Sequence, residues 1–242
     1  DNFLDLVLSS ASKIQDAEHG EGYWTDHWTY NLDLIDSYLG LYPEKTNELF
    51  YGRQVFTFFD NAETVRPRNE KYVLYNGQPR QLHSLLLDSG KKEMLRKRPV
   101  NPHALRILRG EGQIYYTTLI VKLLCLAVNK LASLDAFGVG IEMEANKPNW
   151  FDSLNGLPAL FGSSTCETFE LKRLFKMIRK VLENSPVKEI EMAEEISQFI
   201  ERLFCLLAEE SFSYWDKSNS VKENYRHNTR LGFSGTLTKM PA

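Results

Sequence analysis

The chain lacks most of the short patterns that announce a chemistry. It has no Gly-x-x-x-x-Gly-Lys-Ser/Thr, no Gly-x-Gly-x-x-Gly, no His-Glu-x-x-His and no Gly-x-Ser-x-Gly. This weighs against nucleotide-phosphate binding, zinc proteolysis and a serine nucleophile elbow. Its three cysteines are odd in number and contain no Cys-x-x-Cys, so a disulfide-stapled scaffold is not expected. Cys125 and Cys205 sit in apolar runs, where free cysteine acts as a small hydrophobe. There is no Asn-x-Ser/Thr sequon and no secretory leader pattern, and a reducing cytoplasm is the expected location. Positive charge is not in excess either: the formal net charge is -3, which argues against a nucleic-acid or anionic-membrane surface. The most apolar stretch, Ile114 to Val128, is short for a bilayer and carries Lys122, so it is expected to be a buried helix rather than a membrane span.

What remains is the composition of an ordinary globular chain, 43% hydrophobic and 25% charged over 242 residues, enough for one substantial core. The chain opens at Asp1 inside a helical pattern and reads as an internal piece of a longer protein. Phe169 to Leu182 places Leu171, Leu174, Phe175, Ile178, Val181 and Leu182 on one stripe, which is the period of an amphipathic helix. After the Asn184-Ser185-Pro186 break, Ile190, Ala193, Ile196, Ile200, Leu203, Phe204 and Leu207 predict a second helix and hence a hairpin. Gln113 to Ala132 is apolar nearly all round and predicts an innermost helix. Phe3 to Ala17 and Trp28 to Leu41 complete the helical series. Tyr72-Val73-Leu74-Tyr75-Asn76-Gly77 combines β-formers with an Asn-Gly turn, which predicts a short hairpin or extended insertion near 65–80. Asp135 to Cys166 reads as a long functional loop, and the chain from Ser211 onward as polar and irregular.

Three constellations carry candidate chemistry. In Glu18-His19-Gly20-Glu21-Gly22-Tyr23-Trp24-Thr25-Asp26-His27-Trp28, indole faces flanked by carboxylates suit a pyranose ring and its hydroxyls; Thr25 or Asp26 as a plain helix cap is the alternative. In Asn149-Trp150-Phe151-Asp152-Ser153-Leu154-Asn155-Gly156, a carboxyl beside two aromatic rings is partly desolvated, which suits a proton donor. A structural cap is again the alternative, and bare residue chemistry leans towards it. Ser164-x-x-Glu167 matches a capping box, with Glu167 kept as a candidate second carboxylate. Arg66, Arg68, Lys71, Arg80 and His83, and separately Arg226, His227 and Arg230, are candidate phosphate contacts, although such residues are more often solvated surface.

The stretch Trp150-Phe151-Asp152-Ser153-Leu154-Asn155-Gly156 resembles the Gly-Asp-Trp-Asn-Asp-Gly loop of cellobiose-phosphorylase-like enzymes, members of the six-hairpin (α/α)6-barrel glycosidases and phosphorylases. Trp150 and Asp152 keep the Trp-x-Asp core, while Asn149 and Phe151 stand where that family has Asp and Asn. The Gly22 to Trp28 loop and the Glu167-Thr168-Phe169-Glu170-Leu171 helix start also look like segments of phosphorylase-like proteins. The resemblance implies an all-α chain of helical hairpins from an (α/α) toroid. It also implies Asp152 as general acid in the inverting cleavage of a β-linked gluco-oligosaccharide. A phosphorylase would use inorganic phosphate as co-substrate, whereas a hydrolase needs a second carboxylate to activate water, for which Asp26 and Glu167 are the candidates. Trp24, Trp28 and Trp150 would stack on sugar, with His27, Asn155 and Arg68 as further substrate contacts; no metal or other cofactor is expected. A closed barrel needs twelve helices of about 12 residues each plus loops, so residues 1–242 are expected to form one incomplete helical domain, completed by the rest of a larger polypeptide or by a second copy. The alternative is a non-catalytic helical carbohydrate-binding or structural module.

Overall fold

A computed structural model describes residues 5–6, 9–10, 26–81, 85–142 and 163–242. The described structure is mainly helical, and its strands occur as separate two-stranded antiparallel pairs. Helix α1 (Asp26–Leu41) buries Leu32 and Ile35 and leaves Tyr30, Leu34 and Leu41 exposed. Strand β1 (Glu63–Val65) leads to a one-turn helix α2 (Arg68–Lys71), then β2 (Tyr72–Tyr75), β3 (Gln78–Gln81), β4 (Leu85–Leu87) and α3 (Ser89–Arg96). The β2–β3 hairpin turns through Asn76 and Gly77 at φ 51° and 73°. These two residue types tolerate the left-handed region that a tight two-residue turn requires, so this expectation holds.

Helix α4 (Leu119–Leu131) is the innermost element. It buries Leu119, Ile120, Val121, Leu123, Cys125, Ala127 and Val128, which accounts for an apolar composition nearly all round its axis. It is shorter than its sequence suggests, because residues 113–118 are extended: Ile114 bridges Arg106 and Thr117 bridges Phe56. Against α4 lies α5 (Thr165–Glu183), whose buried Leu171, Leu174, Ile178 and Val181 form the predicted stripe. Each such side chain contributes about 1.5–3 kcal/mol of burial free energy.

The helix predicted from Ile190 is corrected. Glu189–Ala193 is strand β7, followed by helix α6 (Glu194–Leu206). Ile190 and Met192 point inward while Glu189 and Glu191 point out, a period-2 pattern that merges with the helical spacing of Ile196 and Ile200 when read along the chain. The pairing that selects the strand is remote in sequence, since β7 pairs with β8 (Leu237–Pro241) in the register Ile190↔Met240 and Met192↔Thr238. The expected irregular tail is corrected too. Ser211–Thr229 is a 19-residue helix, α7, whose buried residues are Tyr214, Ser218, Asn219 and Lys222. Three of its four buried residues are polar, so its hydrophobic periodicity is weak. Cys125 is buried as expected, whereas Cys205 is exposed on α6 beside the exposed Phe204.

Two close approaches tie the tail to the core. Gly232 lies at φ 121°, and a Cβ there would stand 2.3 Å from the Arg106 carbonyl oxygen. Only glycine fits this contact, which lets the Phe233 N–H donate to that carbonyl at 3.1 Å and sets the Phe233 ring edge-on to Tyr115 at 4.9 Å. Away from the aliphatic layer, Asp60 is 2% exposed and is clasped by Lys91 at 2.5 Å and Arg98 at 2.8 Å. Arg98 also donates to the Pro102 carbonyl at 2.9 Å, so the charge is fixed by geometry rather than hydrated.

Candidate functional site

The described residues on either side of the segment that carries the Trp-x-Asp motif meet in one strand pair. β5 (Ile141–Glu142) pairs with β6 (Ser163–Ser164), with Glu142 opposite Ser163. The approach is close enough to demand glycine at 140, where a Cβ would lie 2.6 Å from Ser163 Oγ. Asp135 organises the turn into this pair. Its Oδ1 accepts from the Phe137 and Val139 N–H groups, and its Oδ2 accepts from the Gly140 N–H, all at 3.0 Å, and from Ser163 Oγ at 2.7 Å. Burial works against the ionised Asp135 carboxyl, but the Ser163 hydroxyl and the three N–H groups outweigh it and hold its pKa below the ordinary value.

Around this strand pair the structure gathers a charged and aromatic cluster from α2, α4, α5 and α7. The Arg68 guanidinium stacks over the Trp215 ring, 3.7 Å from its centroid, a cation–π arrangement on the most electron-rich side chain. Trp215 Nε1 donates to Glu142 Oε1 at 2.5 Å, and Glu142 Oε2 stands 4.0 Å from Arg68 Nη2. Arg68 also donates to Asp216 Oδ1 at 3.3 Å from its side chain and to Glu223 Oε1 at 2.6 Å from its backbone N–H; Asn219 Nδ2 donates to the same Glu223 oxygen at 2.8 Å. One turn further along α7, Lys222 donates to Ser133 Oγ at 3.0 Å, and the Ser133 carbonyl accepts the Glu142 N–H at 2.7 Å. Tyr214 donates to the Leu131 carbonyl at 3.1 Å, its phenol pushed up to about 12 by burial and so protonated.

The predicted residues distribute as follows. Arg68 lies within this cluster, where its partners are carboxylates and an indole face. Glu167 is buried in the first turn of α5. Its backbone N–H donates to Ser164 Oγ at 3.3 Å, which makes the serine half of the capping box. Its carboxylate pairs with Lys130 of α4. Arg68 and Glu167 therefore flank the same strand pair, one through β5 and the other one turn beyond β6. Asp26, His27 and Trp28 open α1, and their side chains lie outside the described residues, as do Trp24, Trp150, Asp152 and Asn155. Sequence reasoning missed Trp215 and Glu142. The signal for Trp215 was present in Tyr214-Trp215-Asp216, the same Trp/Asp pairing that drew attention elsewhere, but it lay in a stretch read as irregular tail.

No protein-family model matches this chain, and no curated protein matches it. The cluster itself alternates carboxylates and cations with an indole between them. Among the described residues, no group of three His, Cys, Asp or Glu side chains is placed to hold a metal ion, and no helix is long and apolar enough to cross a membrane. A separate shallow, solvent-open recess between α6 and α7, lined by Glu195, Phe199, Arg202, Tyr225 and Asn228 among others, shares no residue with the cluster. Its Glu195 is already engaged by the Ser234 N–H at 2.6 Å.

Proposed function

We propose that this chain is the acid-bearing part of a carbohydrate-active enzyme of the (α/α)6-toroid type. It cleaves a β-linked gluco-oligosaccharide with inversion, with Asp152 protonating the glycosidic oxygen. The observation that carries the reading is the Trp150-x-Asp152 motif, in a segment whose two ends are brought together at Glu142 and Ser163 beside the Arg68–Trp215 stack. A general acid needs a fixed position more than it needs many contacts, because proton transfer is effective only within hydrogen-bond reach of the leaving oxygen. In this reading Trp150, Trp24 and Trp28 stack on sugar rings, and His27, Asn155 and Arg68 hold hydroxyls. With inorganic phosphate as nucleophile no second carboxylate is required; with water, Asp26 or Glu167 acts as base.

A second reading has specific support. Tyr30, Leu34 and Leu41 on α1, and Phe204, Leu207 and Phe212 at the α6–α7 turn, are exposed large apolar side chains. Such surfaces suit a module covered by further helices of a larger protein. Together with the departures at Asn149 and Phe151, this favours a non-catalytic helical module as the competitor. Incubation with β-gluco-oligosaccharides, with and without phosphate, separates the possibilities. Phosphate-dependent release of a sugar 1-phosphate identifies a phosphorylase, and release without phosphate a hydrolase. Sugar binding with no turnover, unchanged in Asp152→Asn, leaves the non-catalytic module.

A further inference from the structure

On one side of the molecule two neighbouring helices present unlike outward faces. The buried faces of α1 and α5 enter the same core, through Leu32 and Ile35 on one helix and Leu174 and Ile178 on the other. Their seam is ionic: Arg173 of α5 stands 2.6 Å from both Asp33 and Asp36 of α1, with Glu170 at 3.4 Å as a third acid, so the seam is net negative. Outward, α1 shows Leu34 and Leu41, 68% and 75% exposed. From Asp26 to Glu44 the chain carries four acids and no Lys or Arg. Helix α5 is the reverse. Opposite its buried stripe lie Phe169, Lys172, Lys176, Arg179 and Lys180, all exposed, and Glu183 on that face is held by Arg179 at 2.8 Å. Among the described residues, the ion pairs of α5 with solvent-facing acids are made by its arginines and not by Lys172, Lys176 or Lys180. Set four apart, these three lysines repel one another at some cost to the helix, whereas α3 answers Arg96 and Lys97 with Glu93. A solvated face gains nothing from that arrangement, but a face that meets an acidic surface does.

We propose that the chain forms a two-fold dimer in which α1 of each copy packs against α5 of the other. The axis runs along the α1–α5 seam, so every contact is made twice, as in any isologous interface. Such an axis keeps each residue at its own height along the seam. Lys172 and Lys176, which flank Arg173 on α5, therefore come opposite Leu34 and Asp33 of the other copy. Their aliphatic stems lie along the leucine while their ammonium groups reach the carboxylate. Two helix widths of about 10 Å and a length of about 24 Å give a face that, with side-chain relief, approaches the ~800 Å² per partner of a standard interface. A bilayer or a nucleic-acid strand would use the basic stripe and leave the acidic, apolar face of α1 idle. A second copy of this chain answers both faces at once, because it carries both at the same spacing.

Sedimentation of the full chain tests the dimer. Wild type is expected to sediment at twice the chain mass at about 50 μM. Leu34→Asp places a charge in the apolar part of the face, at a position exposed in the single chain. It should weaken association by about tenfold or more with the far-UV circular dichroism unchanged. Asp33→Lys, which leaves Asp36 on Arg173, and the double reversal Lys172→Glu with Lys176→Glu should each weaken it by about tenfold or more, because like charges then face each other. Mixed together, the Asp33→Lys chain and the doubly reversed chain should associate about as tightly as wild type. In that pair the reversed α1 meets the reversed α5, and the two native helices meet each other. A wild-type chain that remains monomeric at about 100 μM overturns the dimer. A dimer indifferent to Leu34→Asp overturns this face as its interface. Reversed chains that fail to associate with each other overturn the pairing of α1 with α5.

Discussion

Two layers of this molecule are built on opposite principles. The layer between α4 and α5 is aliphatic, with Ile120 and Leu174 both 0% exposed, and its partners are interchangeable in kind if not in shape. The wall that α7 presents to α2, α4 and β5 is polar, with Ser218, Asn219 and Lys222 buried beside Trp215 and Glu142. The first gains free energy roughly in proportion to the area removed from water. The second gains little net free energy per contact, but it is costly to disturb, because each buried donor or acceptor left without a partner keeps its full desolvation penalty. Area specifies that the two halves stick together; the polar wall specifies which surface meets which.

The largest expected effect tests the aliphatic side. Leu174→Ala should cost about 3 kcal/mol, the range for a buried leucine whose cavity cannot collapse. In urea denaturation this appears as a lowered midpoint with the slope unchanged. A loss under about 1 kcal/mol would mean that α5 can settle onto α4 and that this layer is looser than its burial implies.

The same division decided what could be read from the sequence. Leu171, Leu174, Ile178 and Val181 announce α5 because apolar residues recur with the helical period and nothing else selects that face. Asn76-Gly77 announces its hairpin because few residue pairs accept two successive left-handed conformations. Helix α7 could not be read in this way: Ser218, Asn219 and Lys222 look like surface residues until partners such as Ser133, 89 residues from Lys222, are known. β7 was hidden for a different reason, since the strand that selects its extended form is more than forty residues further on, at Leu237–Pro241. The candidate site divides along the same line. Arg68 was singled out for its charge and Glu167 for its helix-start position, while Trp215 and Glu142 become meaningful only once β5, α2 and α7 converge.

A smaller effect tests the polar side. Lys222→Met keeps most of the side-chain volume and removes the donor to Ser133 Oγ at 3.0 Å. A loss of about 1.5 kcal/mol is expected, the low end for a hydrogen bond to a charged group, since Ser133 Oγ keeps its own donation to the Asn129 carbonyl at 2.8 Å. Equal or greater stability in Lys222→Met would show that burying this ammonium costs more than its bonds return, as some buried charges do. The wall would then be retained for specificity alone. Ser164→Ala comes next at about 1 kcal/mol, the usual worth of an N-cap, because Ser164 Oγ accepts the Glu167 N–H at the start of α5. If chemical denaturation shows no loss, the Glu167 pairing with Lys130 is sufficient to hold that helix end.

The smallest effect is also the most specific, because it appears only in one pH window. The Asp135 carboxyl accepts four hydrogen bonds that hold its folded pKa below the ordinary 3.8. A depressed folded pKa means that the unfolded chain takes up the proton first. The stabilisation is therefore complete above about pH 4 and is lost as pH falls through the folded value. Asp135→Asn removes the ionised acceptor at every pH, so the stability gap between wild type and variant should be widest near neutrality and should narrow below about pH 4. A gap that stays constant from neutral to acid pH would mean that the turn depends on the shape of residue 135 and not on its charge. The contrast with Leu174→Ala is direct, since a cavity in the aliphatic layer has no proton to exchange and its cost should not vary with the protonation of Asp135.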